Sequence, residues 1–396
     1  MPESGTSFNE LKRGRRAVAA IFLVNGFLVG AWAPQIPVTL DRLDISEFTL
    51  GLLILGFGAG ALIAMPTAGY LIARHGSAPV LRVLALACSF GLLGVVLAPG
   101  VASVALALVV FGGLIGGTDV AMNANAVAVE RRLGRAIMSS SHGFWSLGGF
   151  AGGGLGGFAI MALGPVGHGL VATGLALLAS VLATRHLSGE PVPESIPGRR
   201  FSLPRNPLVY LVGIIALFSM VPEGAVLDWA ALYLRQERGA DLPTAGLAYA
   251  GFSGTMALMR FAGDAVRDRL GAVTTLRVSG LVAAAGMMVA AWSPDPALAI
   301  GAFALSGLGI ANMVPIAFSA AGNQDGTSAG AGLSTVTSMG YTGLLVAPSV
   351  IGFIGERTGF APIFAVLSGL LVLVVLMAGL ARKAEFARGE PSHSAA

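Results

Sequence analysis

Long apolar runs with few charges follow one another along almost the whole of this chain of 396 residues. A helix needs about 20 mostly apolar residues to cross a bilayer, because each residue adds only about 1.5 Å. On that basis the sequence predicts twelve membrane-spanning helices, spans 1 to 12, at residues 17–38, 48–72, 79–98, 102–124, 137–162, 166–186, 208–234, 244–266, 272–292, 296–321, 327–354 and 359–381. The runs are continuous and do not alternate in polarity, which excludes a membrane β-barrel. The predicted fold is an all-α membrane protein.

The composition excludes a soluble enzyme and gives no sign of a cofactor. Only 11% of the residues are charged, whereas soluble domains carry about 25%. The five histidines are scattered and Cys88 is the single cysteine, so neither a metal site nor a disulfide within the chain is predicted. The sequence has no phosphate-binding Gly-Lys-Ser/Thr loop, so nucleotide hydrolysis is not expected to drive the protein. We expect no cofactor and no enzymatic activity.

Basic residues concentrate on one predicted side of the membrane. The exceptions among the 24 lysines and arginines are Arg42, Arg235, Arg238 and Arg357. Arg260 is counted on the majority side, with the loop that follows span 8. Because cytoplasmic loops are enriched in Lys and Arg, both termini and the middle loop are predicted to be cytoplasmic, in a multi-pass protein of the inner (plasma) membrane. The net charge of +4 therefore reflects topology and not nucleic-acid binding.

A polar, proline-rich interval divides the chain into two halves of six spans each. The predicted organisation is an N-terminal arm, a six-helix bundle, a linker, a second six-helix bundle and a tail, at residues 1–16, 17–187, 188–207, 208–381 and 382–396. One motif recurs at the ends of spans 2 and 8, as Gly69-Tyr-Leu-Ile-Ala73-Arg74-His-Gly76 and Asp264-Ala-Val-Arg-Asp268-Arg269-Leu-Gly271. Repeated halves are typical of transporters that bind their substrate between two bundles near the middle of the membrane.

These two motif copies resemble the Gly-x-x-x-Asp-Arg-x-Gly signature of the major facilitator superfamily, and the resemblance covers residues 17–381. It implies two pseudo-symmetric six-helix bundles that expose a solute site to each side of the membrane in turn. The first copy departs from the signature, because Ala73 stands where the family has an aspartate that helps to latch the cytoplasmic gate. The resemblance implies a gating role for charged residues at the cytoplasmic ends of the spans, namely Arg74, Glu130, Asp268 and Arg269. Alternatively, Arg74 only extends to the membrane interface.

Three shorter segments resemble the fucose-permease-like sugar/proton symporters. They are Gly117-Thr-Asp119-Val-Ala-Met-Asn123 in span 4, Ala33-Pro34-Gln35 in span 1 and Phe144-Trp-Ser-Leu-Gly148 in span 5. A fourth segment in span 7 is similar to the YbjJ/MosC-type members, namely Glu223-Gly-Ala-Val-Leu-Asp228-Trp229. The symporters carry a second acidic residue in span 1, four positions before the proline, where this chain has Gly30. The resemblance implies a proton-coupled carrier with a sugar-like or polyol-like substrate.

Asp119 is the predicted coupling acid. A carboxyl group deep in a membrane helix costs at least about 2.5–3.5 kcal/mol to insert, so it should face the bundle interior. Low-dielectric surroundings favour its protonated form. Asn123 lies four residues on and so shares the same helix face, and an acid–amide pair can bind hydroxyl groups and respond to protonation. The alternative is that Asp119 bonds a neighbouring helix and only fixes the packing.

Glu223 is the second predicted proton site, and it stands between Pro222 and Gly224. Proline removes a backbone donor and glycine loosens a helix. A break in span 7 is therefore expected here, with backbone carbonyls facing a cavity. Asp228 lies nearer the periplasmic end of the same span and is predicted to cap or gate it.

Four further residues are predicted substrate ligands, namely Asn25, Trp32 and Gln35 of span 1 and Asn312 of span 10. The amides donate and accept hydrogen bonds, and the Trp32 ring could stack on the face of a sugar. Asn312 occupies in span 10 the place that Asp119 has in span 4. Two alternatives stay open, interhelical bonding for Asn312 and plain packing for Trp32.

The predicted function is secondary active transport of a small polar solute by a monomer in the lipid bilayer, coupled to protons. Efflux of apolar compounds is an alternative, because four methionines could line an adaptable apolar cavity: Met122, Met220, Met256 and Met313. A sensor that binds a ligand without transporting it is a third possibility. An intramembrane enzyme would need a nucleophile and a base, for which Ser139 and His142 are the nearest pair.

Overall fold

The computed structural model describes residues 8–133, 137–188, 204–324 and 329–384, and the regular elements in these ranges are all helices. In chain order they are α1 (Phe8–Trp32), α2 (Gln35–Leu43), α3 (Glu47–His75), α4 (Ser77–Cys88), α5 (Gly91–Leu97), α6 (Val101–Leu133), α7 (Met138–Thr184), α8 (Pro207–Arg238), α9 (Leu242–Leu270), α10 (Ala272–Trp292), α11 (Pro296–Ile310), α12 (Met313–Gly322), α13 (Ala329–Thr358), α14 (Ala361–Met377) and a 3-10 helix (Ala378–Ala384). The predicted all-α fold is confirmed. Parts of the predicted arm, linker and tail lie outside the described residues, so their bounds stay predictions.

Ten stretches in the described ranges are long and apolar enough to cross a membrane. One of them, Ser140–Thr184, contains both span 5 and span 6, because the backbone of α7 turns at Gly164, where φ is 71° and Pro165 follows. Span 8 lies in α9, which is not among the ten because Arg260 and other charged residues lower its apolarity. With α7 counted as two spans and α9 added, the described ranges hold the twelve predicted spans in two six-helix bundles.

Span 10 is interrupted part-way along its length. Its two helices, α11 and α12, meet at Ala311 and Asn312. Pro315 has no N–H to donate to the carbonyl of Ala311, so the regular helical pattern cannot continue across this junction. The interruption places the amide side chain of Asn312 at a point where the backbone is not regularly helical.

Span 7 is not interrupted, and the break expected beside Glu223 was a wrong prediction. α8 continues through Pro222 from Pro207 to Arg238. A proline removes one hydrogen bond from a helix, and in a membrane protein neighbouring groups can compensate for that loss. Glu223 is consequently held on a continuous helix and not on an unwound segment.

Glycines bring the backbones of α1, α7 and α9 close together. A Cβ atom added to Gly152 of α7 would lie 2.6 Å from the backbone nitrogen of Ala31 in α1. One added to Gly157 of α7 would lie 2.6 Å from the carbonyl oxygen of Leu242 in α9. Small residues permit such close approach between membrane helices. α7 is therefore packed against a helix of its own bundle and against a helix of the other bundle.

The two bundles are joined at the end of the molecule where α3 begins and α8 ends. Three contacts cross between the bundles there: Asp41 with Arg235 at 2.8 Å, Glu47 with Gln236 at 2.9 Å, and the carboxylate of Glu356 with the backbone N–H of Phe48 at 3.4 Å. We call these three contacts the latch. Next to them α3 and α13 touch, and the Ser349 hydroxyl donates to the Gly51 carbonyl at 3.2 Å. This end of the interface between the bundles is closed.

The close packing of α1 on α7 gives a first prediction, for Gly152→Ala. The added methyl group meets backbone atoms, which cannot rotate away, so the substitution should destabilise the protein by about 1–3 kcal/mol. The midpoint of thermal unfolding of the purified protein in detergent measures this change.

Gly174→Ala is the matched control on the same helix, because a Cβ atom at Gly174 meets nothing within 4 Å. This change should be neutral or slightly stabilising, since alanine loses less backbone entropy than glycine on folding. Equal effects of the two substitutions would contradict the packing described here.

Candidate functional site

Asp119 forms a hydrogen-bonded chain with two other side chains of the first bundle. Asn123 Nδ2 donates to Asp119 Oδ1 at 3.2 Å and to the Asp119 carbonyl at 2.9 Å. Its other amide atom, Oδ1, lies 3.2 Å from His142 Nε2 of α7, which therefore acts as the donor. The ring of Phe22 packs edge-on against His142, with centroids 5.1 Å apart. The predicted acid–amide pair is present, and His142 extends it.

Glu223 forms an ion pair with an arginine of the neighbouring helix. Arg260 Nη2 of α9 lies 3.5 Å from Glu223 Oε1 of α8, and the two side chains are 15% and 22% exposed. The same guanidinium donates through Nη1 to the hydroxyl of Ser146 in α7 at 2.7 Å. The Ser146 carbonyl also accepts from the Ser253 hydroxyl of α9 at 2.8 Å. Arg260 therefore links a carboxylate of the second bundle to a hydroxyl of the first.

The placement of Arg260 corrects the count of basic residues made from the sequence. The sequence grouped it with the cytoplasmic loop after span 8, but it stands inside α9, well before the helix ends at Leu270. The sequence did indicate that Arg260 lies inside the membrane-spanning helix, because it falls within the predicted bounds of span 8. A charge inside a membrane helix is a functional candidate by default.

One turn of α7 brings the two groups into one cluster, because His142 and Ser146 stand four residues apart and share a face of that helix. Tyr341 of α13 lies within electrostatic range of both Asp119 and Glu223. The first bundle contributes Asp119, Asn123, His142 and Ser146, and the second contributes Glu223, Arg260 and Tyr341. We call these seven residues the central cluster. It holds two carboxylates and one guanidinium. Ser146 lies in the segment Phe144-Trp-Ser-Leu-Gly148, whose resemblance to the symporters did not single it out, and no sequence motif pointed to Tyr341.

The three predicted ligands of span 1 do not join the central cluster. Asn25 Oδ1 accepts from Trp145 Nε1 at 2.9 Å, and its Nδ2 donates to the Ile115 carbonyl at 3.4 Å. Gln35 Nε2 donates to the Pro165 carbonyl at 3.1 Å and lies 2.9 Å from His168 Nδ1. Both amide atoms of Asn25 and the Nε2 atom of Gln35 are thus engaged inside the first bundle. Trp32 is 2% exposed within an apolar core.

Asn312 lies at the junction of α11 and α12, against Gly263 of α9. Its side chain is 8% exposed, and its Nδ2 has no hydrogen-bond partner among the described residues. Buried polar groups are usually paired, so this amide has bonding capacity to spare. Gly263 stands three residues after Arg260 on the same helix, which puts Asn312 near the central cluster on its α9 side.

The predicted gating residues have the following positions. Arg74 donates to the Tyr70 hydroxyl at 3.4 Å, and the Glu130 carboxylate accepts from the backbone N–H of Ile137 at 2.6 Å. Arg269 is exposed near the end of α9. The side chain of Asp268 lies outside the described residues. Asp228 is buried in α8, at 8% exposure.

Gly30 shows why this chain lacks the acid that the resembling symporters carry in span 1. A Cβ atom at Gly30 would lie 2.8 Å from the Cα atom of Gly149 in α7. The space that a carboxylate would need is occupied by backbone. The second acidic residue of the central cluster comes instead from α8, as Glu223.

Comparisons with known proteins identify the family that the sequence matches. The family model described as Major Facilitator Superfamily matches residues 18–324 and 212–395. An uncharacterized MFS-type transporter of Yersinia pestis is 36% identical over 361 residues, which cover 90% of this chain and 93% of that protein. Membrane protein MosC of Rhizobium meliloti is 34% identical over 363 residues, which cover 90% of this chain and 88% of that protein.

Solved structures share the fold at low sequence identity. A mutant of the nucleoside transporter NupG superposes with a TM-score of 0.76 at 12% identity, covering 93% of this chain and 99% of that one. A D-xylose–proton symporter gives a TM-score of 0.72 at 13% identity, covering 93% and 97%. FucP in the outward conformation gives a TM-score of 0.64 at 14% identity, covering 93% and 98%.

The pairing of Glu223 with Arg260 gives a second prediction, a double-mutant cycle with Glu223→Gln, Arg260→Gln and both together. Each single substitution leaves the other charge partly buried without its partner, so the two effects should not add. The coupling should be about 1–3 kcal/mol, within the range for residues in direct contact. Unfolding of the purified protein in detergent, followed by tryptophan fluorescence, measures it.

The latch pair is the matched control, with Asp41→Asn and Arg235→Gln. Its side chains are 56% and 31% exposed, and exposed ion pairs contribute only about 0.2–1 kcal/mol. A coupling at Glu223 and Arg260 no larger than that of the latch pair would contradict a buried, structurally important ion pair.

Proposed function

The chain belongs to the major facilitator superfamily, and on that premise we propose that it is a proton-coupled carrier of a small polar solute. The solute is sugar-like, polyol-like or amino-sugar-like, and a monomer transports it by alternating access. The observation that carries the proposal is the central cluster, in which the hydrogen-bonded Asp119 and Asn123 of one bundle are linked through His142 and Ser146 of α7 to the ion-paired Glu223 and Arg260 of the other.

Asp119 is the proposed proton-binding group. Its hydrogen-bond partner among the described residues is the neutral amide of Asn123, so no cation there offsets the charge of the carboxylate. A charged carboxylate in low-dielectric surroundings is costly unless it is paired. A proton removes that cost, and so does the ammonium group of an amino sugar.

The neutral groups of the central cluster suit a solute with several hydroxyls. Asn123, Ser146 and Tyr341 can each donate and accept hydrogen bonds. They come from both bundles, so one bound solute can bond to both. Binding of this kind favours the conformation in which the two bundles approach each other around the site.

Efflux of apolar compounds is less well supported. It needed a cavity lined by four methionines, but three of them, Met122, Met256 and Met313, are at most 1% exposed within the packed interior. The fourth, Met220, is half-buried against Gly340 of α13. Side chains packed in this way do not line an open cavity. The sensor remains an alternative, and transport measurements decide between it and a carrier.

Arg260 supplies the proposed coupling between protonation and movement. Its guanidinium holds both the Glu223 carboxylate and the Ser146 hydroxyl of the other bundle. Protonation of Glu223 removes the charge that orients the guanidinium. The contact across the bundles through Ser146 then weakens, so a change of charge becomes a change in how the bundles fit together.

The proposed orientation follows from the distribution of basic residues, which puts both termini in the cytoplasm of a cell with this protein in its plasma membrane. The latch is then at the periplasmic end, and the closed latch leaves the cytoplasmic side as the route to the central cluster. Two of the solved neighbours support the proposed substrate class, since they are a D-xylose–proton symporter and the fucose:proton symporter FucP.

The coupling role of Asp119 gives a third prediction, for Asp119→Asn in proteoliposomes. The amide keeps the size and bonding of the side chain but cannot take up a proton. Uptake driven by a pH gradient should disappear, and exchange of labelled for unlabelled solute should persist. The panel is D-xylose, L-fucose, myo-inositol and D-glucosamine, with proton movement followed by a dye sensitive to pH inside the vesicles.

Asp241→Asn is the matched control. Asp241 is exposed and its side chain accepts from the Thr244 N–H at the start of α9, at 2.9 Å. Asparagine caps a helix as well as aspartate does, so transport should be unchanged. Proton-driven uptake that survives in Asp119→Asn would show that Asp119 is structural.

The latch gives a fourth prediction, for Asp41→Arg in a protein whose single reactive thiol is introduced by Ser349→Cys. Cys88 is buried and is replaced by alanine. Two arginines facing each other should open the latch and speed labelling of the introduced thiol by a membrane-impermeant maleimide added outside cells. Exposed pairs are worth up to about 1 kcal/mol, so the rate should rise up to about five-fold.

The charge-swapped protein, Asp41→Arg with Arg235→Asp, is the control and should label as slowly as the parent. Faster labelling in both variants would point to general loosening and not to the latch pair. Labelling only from the cytoplasmic side would reverse the proposed orientation.

A further inference from the structure

Basic side chains surround an open cavity at the end of the first bundle that is opposite to the latch. Its walls are the start of α1, the end of α6 and the end of α7, and the proposed transport mechanism uses none of its residues. The cavity has a volume of about 410 Å³, and its lining residues are Glu10, Arg13, Arg132, Arg185, His186, Leu187 and Ser188. Among these residues three guanidinium groups face one carboxylate, so the cavity attracts anions.

Hydrogen bonds and a close contact hold the walls of the cavity in place. Asn125 of α6 is fully buried, and its Nδ2 donates to the Ser188 carbonyl at 3.2 Å. Arg82 of α4 donates through Nη2 to the Thr184 carbonyl at 3.2 Å, where α7 ends. A Cβ atom at Gly14 of α1 would collide with the Ser188 hydroxyl, so α1 lies directly against the same residue. The cavity is therefore a fixed part of the packed bundle.

The chemistry of the lining residues suits a phosphate ester. A guanidinium group binds phosphate through two parallel N–H donors, which gives both strength and orientation. Arg13 and Arg185 are both exposed, and they stand on different helices. One phosphate group bound by both would join the start of α1 to the end of α7.

An exposed apolar face on α7 leads directly to Arg185. Leu175, Leu178 and Leu182 are 55%, 59% and 52% exposed, and spacings of three and four residues put them on the same helix face as Arg185. We call these three leucines the acyl face. The distance along the helix from Leu175 to Arg185 is about 15 Å, which equals half the thickness of the hydrocarbon core of a bilayer. A lipid chain lying along the acyl face therefore brings its headgroup to the cavity.

We propose that the cavity binds the headgroup of an anionic phospholipid, with one of its chains along the acyl face. The phosphate lies between Arg13 and Arg185, and Arg132 adds a third positive charge. Basic pockets between membrane helices are known to bind anionic headgroups. The walls all belong to one bundle, so the site keeps its geometry when the two bundles move relative to each other. The inference depends on neither the solute nor proton coupling, so it is tested separately from the proposed function.

Native mass spectrometry of the purified full-length protein in detergent tests the proposal. The protein is titrated with palmitoyl-oleoyl phosphatidylglycerol or with phosphatidylcholine of the same chains. Each basic residue near a bilayer surface changes the affinity for anionic lipid about fivefold. Wild type should therefore bind the first phosphatidylglycerol about tenfold or more tightly than the first phosphatidylcholine. Arg13→Gln with Arg185→Gln should weaken phosphatidylglycerol binding about 25-fold and leave phosphatidylcholine binding unchanged. Equal affinity of wild type for the two lipids would overturn the proposal.

The matched control is Arg277→Gln with Arg382→Gln, which removes two positive charges from the corresponding end of the second bundle. Both side chains are exposed, and neither lines the cavity. Phosphatidylglycerol binding should be unchanged, and an equal loss in this variant would show that net charge and not the cavity attracts the lipid. Arg13→Lys with Arg185→Lys keeps both charges and should retain affinity within about fivefold of wild type. A loss as large as that of the glutamine variant would show that the substitutions disturb the fold, and this result also contradicts the proposal.

Two further comparisons separate a lipid from a soluble phosphate ester. Glycerol 3-phosphate carries the phosphate without the chains, and a large excess of it should not displace phosphatidylglycerol. Leu178→Asn should weaken phosphatidylglycerol binding, because it removes apolar contact with the chain. Leu376→Asn is its control, since Leu376 is 74% exposed on α14 of the other bundle. Displacement by glycerol 3-phosphate, or equal binding by the two asparagine variants, would overturn the assignment of a lipid to this site.

Discussion

The cost of placing a charge inside a bilayer is the constraint on which the arrangement of this protein depends. A charged group there must be paired, bonded or neutralised. Arg260 meets this condition with two partners, the Glu223 carboxylate of its own bundle and the Ser146 hydroxyl of the other. Its position therefore depends on how the bundles are packed, and the packing of the bundles depends in turn on its charge.

Backbone contacts put the partners of Arg260 in place. α7 lies against α9 at Gly157 and against α1 at Gly152, with hardly more than van der Waals distance between the backbones. This contact fixes the position of α7 along the axis of α9. It thereby places the Ser146 hydroxyl beside the Arg260 guanidinium. Larger side chains at these glycines would separate the helices and leave a charge without a partner. The glycine-rich sequence and the buried ion pair are parts of one arrangement.

The sequence predicted the fold well because twelve apolar runs and a repeated motif are local and easily counted. It also predicted the contact of Asp119 with Asn123, since a spacing of four residues on a helix fixes it. It could not show that Asn25 and Gln35 are engaged inside the first bundle, because their partners, Trp145 and His168, are more than a hundred residues away. The latch was missed for the same reason, as its partners belong to different halves of the chain.

The location of the second acidic residue has a consequence for how coupling can work. Backbone packing at Gly30 excludes a carboxylate from that position of span 1, and Glu223 stands on α8 in the other bundle. An acid in span 1 would share its bundle with Asp119, and protonation would act within one rigid half. Glu223 instead acts on Arg260, which holds both bundles. In the proposed mechanism, the second carboxylate belongs to the other bundle. Each change in its charge therefore alters the contact between the two bundles.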